Sequence, residues 1–312
     1  MTLLESTSPI PAAPATTPVG IDRAMYVESF VHRWDGNTRK SYRDDLAMFF
    51  RWCDTHDINV FTAHRTHLEL YMRYLAEERH NCATTIRHRI GTLRLFYEIC
   101  LDDDLCTKNP TRLLRLPKIK VDQTREVALN GMEFNALIAA AASSRPQEYA
   151  LIMIMGICGL RVSEACSLDV ESSLLMSKAH RMFQFVQKGG DIAQVPQPPL
   201  VMQAVDRAID GRISGPLLLR RDGQRMTRRA ADRVVKRLAK KAGIDRPVSC
   251  HMLRHTAAMT AYRAKVPMEI ISRSLRHKEI GTTYKFYNRG VVLTNEHSSH
   301  VVAGQVLAPD LG

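Results

Sequence analysis

Between residues 22 and 108 apolar side chains recur every three or four positions, the spacing that gathers them on one face of an α-helix. Tyr42, Leu46, Phe49, Phe50 and Cys53 form one stripe after the turn-like Gly36-Asn37. Leu68, Tyr71, Met72 and Leu75 form a second, and Ile86, Ile90, Leu93 and Tyr97 a third. Little here alternates with period two, so the pattern predicts a small helical bundle whose stripes are core. The second half is mixed. Asn130 with Glu133 three residues on predicts a capped start to an Ala-rich helix. A further helix is predicted over about 146–156, and Arg161 opens the next with Glu164 one turn later. Residues 181–187 alternate like a strand, Gly189-Gly190-Asp191 turns the chain, and 192–195 returns as a hairpin with Lys188 at its tip. After Pro198-Pro199 the pattern reads as helical nearly to residue 289, apart from 215–227. The expected fold is therefore mainly α with a small β-hairpin or sheet in the C-terminal half.

Composition sharpens the domain organisation. A chain of 312 residues has room for two cores. Residues 1–21, rich in Pro, Ala, Ser and Thr, read as a disordered lead-in, followed by a helical domain over 22–108. Residues 109–126 carry Asn109-Pro110, Arg112, Arg115, Lys118, Lys120 and Arg125 with few acids, and read as a basic linker. A second domain would fill 127–290, leaving an apolar tail over 291–312 that could dock on a neighbouring protomer or fold back on its own.

Lys plus Arg number 44 against 32 Asp plus Glu, a formal charge of +12, which fits a polyanionic partner such as nucleic acid as well as a merely soluble basic protein. The helix expected after Thr227 carries Arg228, Arg229, Arg233, Lys236, Arg237, Lys240 and Lys241 around Ala231, Val234, Val235 and Leu238, and reads as a face for DNA phosphates. Arg87, Arg89 and Arg94 lie off the apolar face of the third N-terminal stripe, where phosphate contact and plain solvation are both open. Seven widely spaced cysteines with no C-x-x-C pair suggest neither a disulfide framework nor a zinc site. Neither a secretory leader nor a membrane-spanning run is apparent, so the expected location is the cytoplasm. A phosphate-binding glycine loop and an acidic two-metal cluster are also missing, so no metal or cofactor is expected.

Six residues of the second half supply what phosphodiester transfer without a metal needs. Arg161 lies in Gly159-Leu160-Arg161-Val162-Ser163-Glu164; His251 and Arg254 lie in His251-Met252-Leu253-Arg254-His255-Thr256. His277 follows Leu275 and precedes Thr282-Thr283, with Tyr287 shortly after, and Lys188 completes the set. Two guanidiniums can clamp a phosphate bidentately, imidazoles and an ammonium can move protons, and a phenol can be a covalent nucleophile. A bland reading competes at Arg161, which could simply pair with Glu164.

In order and spacing these runs resemble the tyrosine recombinase (phage integrase) family, whose motifs read G-L-R-x-S-E, H-x-L-R-H and L-G-H-x(4)-T-T. The resemblance covers nearly the whole chain from about residue 22. It implies an N-terminal helical core-binding (SAM-like) domain and a mixed α/β catalytic domain forming a C-shaped clamp on double-stranded DNA. It also implies a homo-tetramer on two recombination sites, exchanging strands through a 3′-phosphotyrosyl intermediate and a Holliday junction. Arg161 and Arg254 would hold the phosphate with Glu164 orienting them, and Tyr287 would attack. His251 would act as base, Lys188 as acid for the 5′-oxygen, and His277 on the phosphate or nucleophile. Little chain precedes residue 22, so a recombinase without a separate arm-site domain is expected; target sequence, reaction direction and accessory proteins are not legible.

Two departures from the family pattern stand out. Arg276 takes the place of the usual Gly, an exchange expected to alter only the local turn. Phe286 fills the slot two residues after the Thr-Thr pair where many members carry the nucleophile, and Tyr287 is one further on. One residue turns a helical side chain by about 100°. Tyr284 is a poorer nucleophile, and a catalytically inactive DNA-binding module of the same fold is the alternative function. A relaxing topoisomerase ranks last.

Overall fold

The computed structural model of the chain describes residues 22–119, 127–187 and 190–276. Its described part falls into two compact units that divide between Val121 and Asp122.

The first unit is the helical bundle that its apolar stripes predict. Helix α1 (Arg23–His32) starts where the Asp22 carboxylate accepts the Ala24 N–H, and α2 (Gly36–Thr55), α3 (Arg65–Glu77) and α4 (Ala83–Asp102) follow. Leu46 and Phe49 of α2, Leu68, Tyr71 and Leu75 of α3, and Ile90, Leu93, Phe96 and Tyr97 of α4 are removed from water. Each such side chain contributes roughly 1.5–3 kcal/mol through burial. Polar groups drawn inside are partnered: the Tyr97 hydroxyl donates to the Val60 carbonyl at 2.8 Å, and Asp45 accepts from Thr92 Oγ1 at 2.9 Å. The chain remains part of this unit beyond residue 108. Thr111 is fully buried, Leu114 and Leu116 pack on the core, and Asn109 Nδ2 donates to the Arg94 carbonyl at 3.2 Å. The first half of the basic segment is thus folded chain whose cations point outward.

The second unit is built round α6 (Pro146–Gly156), apolar on every side and buried from Ala150 to Met155. Such a helix must be enclosed. It packs against α5 (Gly131–Ala142), whose start has the expected Asn130–Glu133 reciprocal capping. Then come α7 (Val162–Ser167), α8 (Val170–Ser173) and an antiparallel sheet of β1 (Leu175–Ser177), β2 (His180–Val186) and β3 (Ile192–Pro196) in that order. Phe183 faces Val195 and Phe185 faces Ala193 across β2 and β3, which lays all four on the core face. Helices α9 (Pro199–Ile209) and α11 (Cys250–Arg263) also pack on α6, while α10 (Arg228–Lys241) lies on α5 and α7. Helix α12 (Met268–Ser274) closes the described part.

Two details go beyond the sequence reading. The expected hairpin of β2 and β3 is present and gains a third strand: β1, only three residues long and too short to show a period, is joined to β2 by a two-residue turn at Lys178-Ala179 with positive φ. The helical stretch read after Pro198-Pro199 is divided at further points besides 215–227. Left-handed backbone at Asp210 ends α9, at Gly243 follows α10, and at Lys265 separates α11 from α12. None of the helices among the described residues is long and apolar enough to cross a membrane.

Candidate active site

The G-L-R-x-S-E run folds into a sharp approach to α7. Gly159 has φ +65°, a conformation that strains other residues, and a Cβ there would stand 2.5 Å from Leu275 Cδ2, so a larger residue would force that buried side chain to shift. Arg161 caps α7, and its own N–H donates to Glu164 Oε2 at 2.8 Å while its Nη1 donates to Glu164 Oε1 at 2.7 Å. The ion pair of the bland reading therefore exists. Glu164, however, has more than one cation around it.

Arg254 is 3% exposed on α11; its Nη1 donates to the Gly159 carbonyl at 2.6 Å and its Nη2 to the Leu275 carbonyl. Its guanidinium lies 3.9 Å from Glu164 Oε2. Arg276 reaches the same oxygen at 2.9 Å through Nη2, and its own carbonyl accepts from Arg161 Nη2 at 3.4 Å. The expectation that Arg276 alters only the turn is corrected here: its side chain spans to α7 and its charge lies 5.1 Å over the Phe185 ring. Three guanidiniums thus converge on one buried carboxylate, and the cluster keeps a surplus of two positive charges.

Electrostatics follow from that crowding. Burial would raise the Glu164 carboxyl, but the Arg161 N–H and guanidinium together with the Arg276 charge outweigh it and hold the pKa below the ordinary value. The Arg254 guanidinium is pushed down, first by burial and then by Arg161 and Arg276, with Glu164 opposing. An arginine stays charged through such a shift. His251 lies one turn from Arg254 on α11. Its pKa is lowered by burial, then by the Arg254 and Arg161 charges, which favours the neutral imidazole that a base must be. The cluster can receive a doubly contacted anionic oxygen group and a proton beside it.

The structure brings together Arg161, Glu164, His251 and Arg254 from the sequence-derived set, and adds Arg276. Lys188, His277 and Tyr287 lie outside the described residues, as do Phe286 and Tyr284. The described residues next to them make hydrogen bonds: Gln187 N–H donates to the Asp191 carbonyl at 2.8 Å, and Arg161 Nη2 donates to the Arg276 carbonyl at 3.4 Å.

Among the expected DNA contacts the arrangement sorts side chains by task. On α10, Arg229, Arg233 and Lys240 are exposed with no ion pair among the described residues, and Arg228 is exposed on the same helix. Lys236 pairs with Asp232 at 2.7 Å, Arg237 with the buried Glu148 at 2.6 Å, and Lys241 donates to Ser143 Oγ at 2.7 Å, so these three also serve the fold. On α4, Arg87 is exposed with Nη1 3.4 Å from the Pro117 carbonyl, whereas Arg89 turns inward to Asp45 at 3.6 Å and Arg94 to the Thr111 carbonyl at 3.4 Å. Arg112, Arg115 and Lys118 are exposed, and Lys120 lies outside the described residues.

The sequence profile of the phage integrase family matches residues 128–291, and that of the phage integrase N-terminal SAM-like domain matches 25–107. The tyrosine recombinase XerD of Pseudomonas putida is 27% identical over 258 residues, covering 79% of this chain and 85% of that protein. XerD of Xanthomonas campestris is 29% identical over 283 residues, with 84% of each chain covered. In fold the chain is similar to a lambda integrase dimer bound to a COC′ core site (TM-score 0.69, 16% identity, 85% of this chain and 77% of that one). It is similar also to the Tn1549 transposon integrase in complex with circular intermediate DNA (TM-score 0.69, 19% identity, 89% and 98%). The chain belongs to the phage integrase family, the tyrosine recombinases.

Proposed function

We propose that this protein is a site-specific DNA recombinase that cuts and rejoins duplex DNA by transesterification. The observation that carries the reading is the surplus of positive charge where Arg161, Arg254 and Arg276 meet Glu164, with a neutral-leaning His251 one turn away. A phosphodiester is anionic and its transition state spreads further charge over the oxygens, so fixed donors lower the barrier; one such donor is worth roughly 3–4 kcal/mol. Arg161 and Arg254 take the two non-bridging oxygens. His251 accepts the phenolic proton of Tyr287, the new bond forms between the phenolic oxygen and phosphorus, and the bond from phosphorus to the 5′-oxygen breaks. Lys188 gives that oxygen its proton, and His277 steadies the phosphate. The 3′-phosphotyrosyl bond conserves the energy of the broken linkage, so rejoining to another 5′-hydroxyl needs no nucleotide.

In this reading four copies work on two DNA sites through a Holliday junction in the cytoplasm, with the helical unit and the exposed cations of α10 gripping the phosphates. Support for the duplex partner comes from the net charge of +12 and from the DNA-bound state of the integrases that share the fold. The test is recombination on a plasmid carrying two copies of the site found in the DNA flanking the encoding gene. Recombinant product with the parent, and none with Arg161→Met although DNA is still bound, is the expected result. Tight binding with no product from the parent would favour the inactive DNA-binding module instead.

A further inference from the structure

We propose that Arg276 is a positioning residue for phosphoryl transfer, one that keeps Glu164 from capturing Arg254. This rests on the reading above that Arg161 and Arg254 receive the phosphate. Glu164 is 4% exposed and must be satisfied by neighbouring donors. Its Oε1 takes Arg161 Nη1 at 2.7 Å; its Oε2 takes the Arg161 N–H at 2.8 Å and Arg276 Nη2 at 2.9 Å. Arg254 Nη1 stops at 3.9 Å from that oxygen and donates to the Gly159 carbonyl at 2.6 Å instead. Remove the Arg276 head and Oε2 loses its nearest cation. With Arg161 already engaged on Oε1, Arg254 at 3.9 Å is the neighbouring charge not yet bonded to the carboxylate, and closing that gap would pull it off Gly159 and neutralise the charge it offers to a phosphate.

The way Arg276 is held fits that task. Its φ is +55°, a left-handed conformation that glycine adopts without strain and arginine does not. Its Nη1 donates to the Ser274 carbonyl at 3.0 Å, its Nη2 to Glu164, and the guanidinium lies over Phe185, so the head is fixed from three sides at 12% exposure. A side chain so placed acts by geometry, and the backbone alone would be served better by glycine.

The test uses the full chain in single turnover on a duplex nicked so that cleavage traps the covalent adduct, with DNA affinity and thermal unfolding measured alongside. Arg276→Gly and Arg276→Met are expected to slow adduct formation roughly 10- to 100-fold, the scale of a small misplacement of catalytic groups. Affinity for DNA should stay within about twofold, and Arg276→Gly should unfold no earlier than Arg276→Met, which loses the same ion pair but keeps the strained backbone. Arg276→Lys should recover part of the rate. In a Glu164→Gln background, where the competition no longer exists, Arg276→Met should slow the reaction by less than about twofold further. Parent-like rates in both Arg276→Gly and Arg276→Met, an equal slowing in the Glu164→Gln background, or a rate loss that only tracks lost stability would each overturn the inference while leaving the recombinase reading intact. A parent that forms no adduct overturns both.

Discussion

Glu164 shows how one residue ties stability to chemistry. Its carboxylate is nearly sealed from water, yet its pKa falls, because the donors and charges of Arg161 and Arg276 exceed the cost of burial. A group whose folded pKa lies below its unfolded value stabilises the fold above the unfolded pKa, and that stabilisation is lost as pH falls through the folded one. Glu164→Gln should therefore cost about 3 kcal/mol at pH 7, where the buried cations lose their counter-charge. The deficit should shrink as pH drops below the ordinary carboxylate value of 4.5. Urea unfolding of both proteins from pH 7 down to about pH 2.5 checks this, and a deficit that does not vary with pH below 4.5 would show that the charge of Glu164 is not what matters. Much of this cluster was legible in the sequence, since Arg161, Glu164, His251 and Arg254 sit in motifs with fixed local shape. Arg276 was not, because its partner is 112 residues away along the chain and no local pattern announces such a contact.

At the scale of elements, the apolar stripes of α2, α3 and α4 were readable because one buried face per helix leaves a period in the sequence. Strand β1 was not, because a three-residue strand has no period, while the helix ends at Asp210 and Lys265 are marked in sequence only by the neighbouring Gly211 and Pro267. Gly159 is the junction on which several elements depend. Gly159→Ala adds a Cβ at φ +65° and drives it toward Leu275, so a loss of about 1–3 kcal/mol in chemical denaturation is expected, with Arg254 disturbed through its bond to the residue 159 carbonyl. Helix α10 divides its cations between solvent and fold. Arg229→Ala and Arg233→Ala should each weaken DNA binding and flatten its log–log salt dependence by about one unit, with little change in stability. Arg237→Ala should leave that slope alone and cost about 1–3 kcal/mol, since it strands the buried Glu148. A slope lowered by Arg237→Ala and untouched by the other two would invert this division of labour.

For the whole molecule, two units with separate cores and a charge of +12 fit a protein whose partner is larger and more acidic than itself. The basic run at 109–126 was legible as charge but not as structure, because Leu114 gives no hint in sequence that it is buried on the first unit. The central claim, that the guanidinium cluster serves covalent transfer to a tyrosine, is tested most directly by trapping. The parent protein and Tyr287→Phe are incubated with a nicked recombination site, and any adduct is digested and mapped by mass spectrometry. A phosphodinucleotide on Tyr287 in the parent and no adduct in Tyr287→Phe is the expected result; a modified Tyr284, or an adduct that persists in Tyr287→Phe, would contradict it.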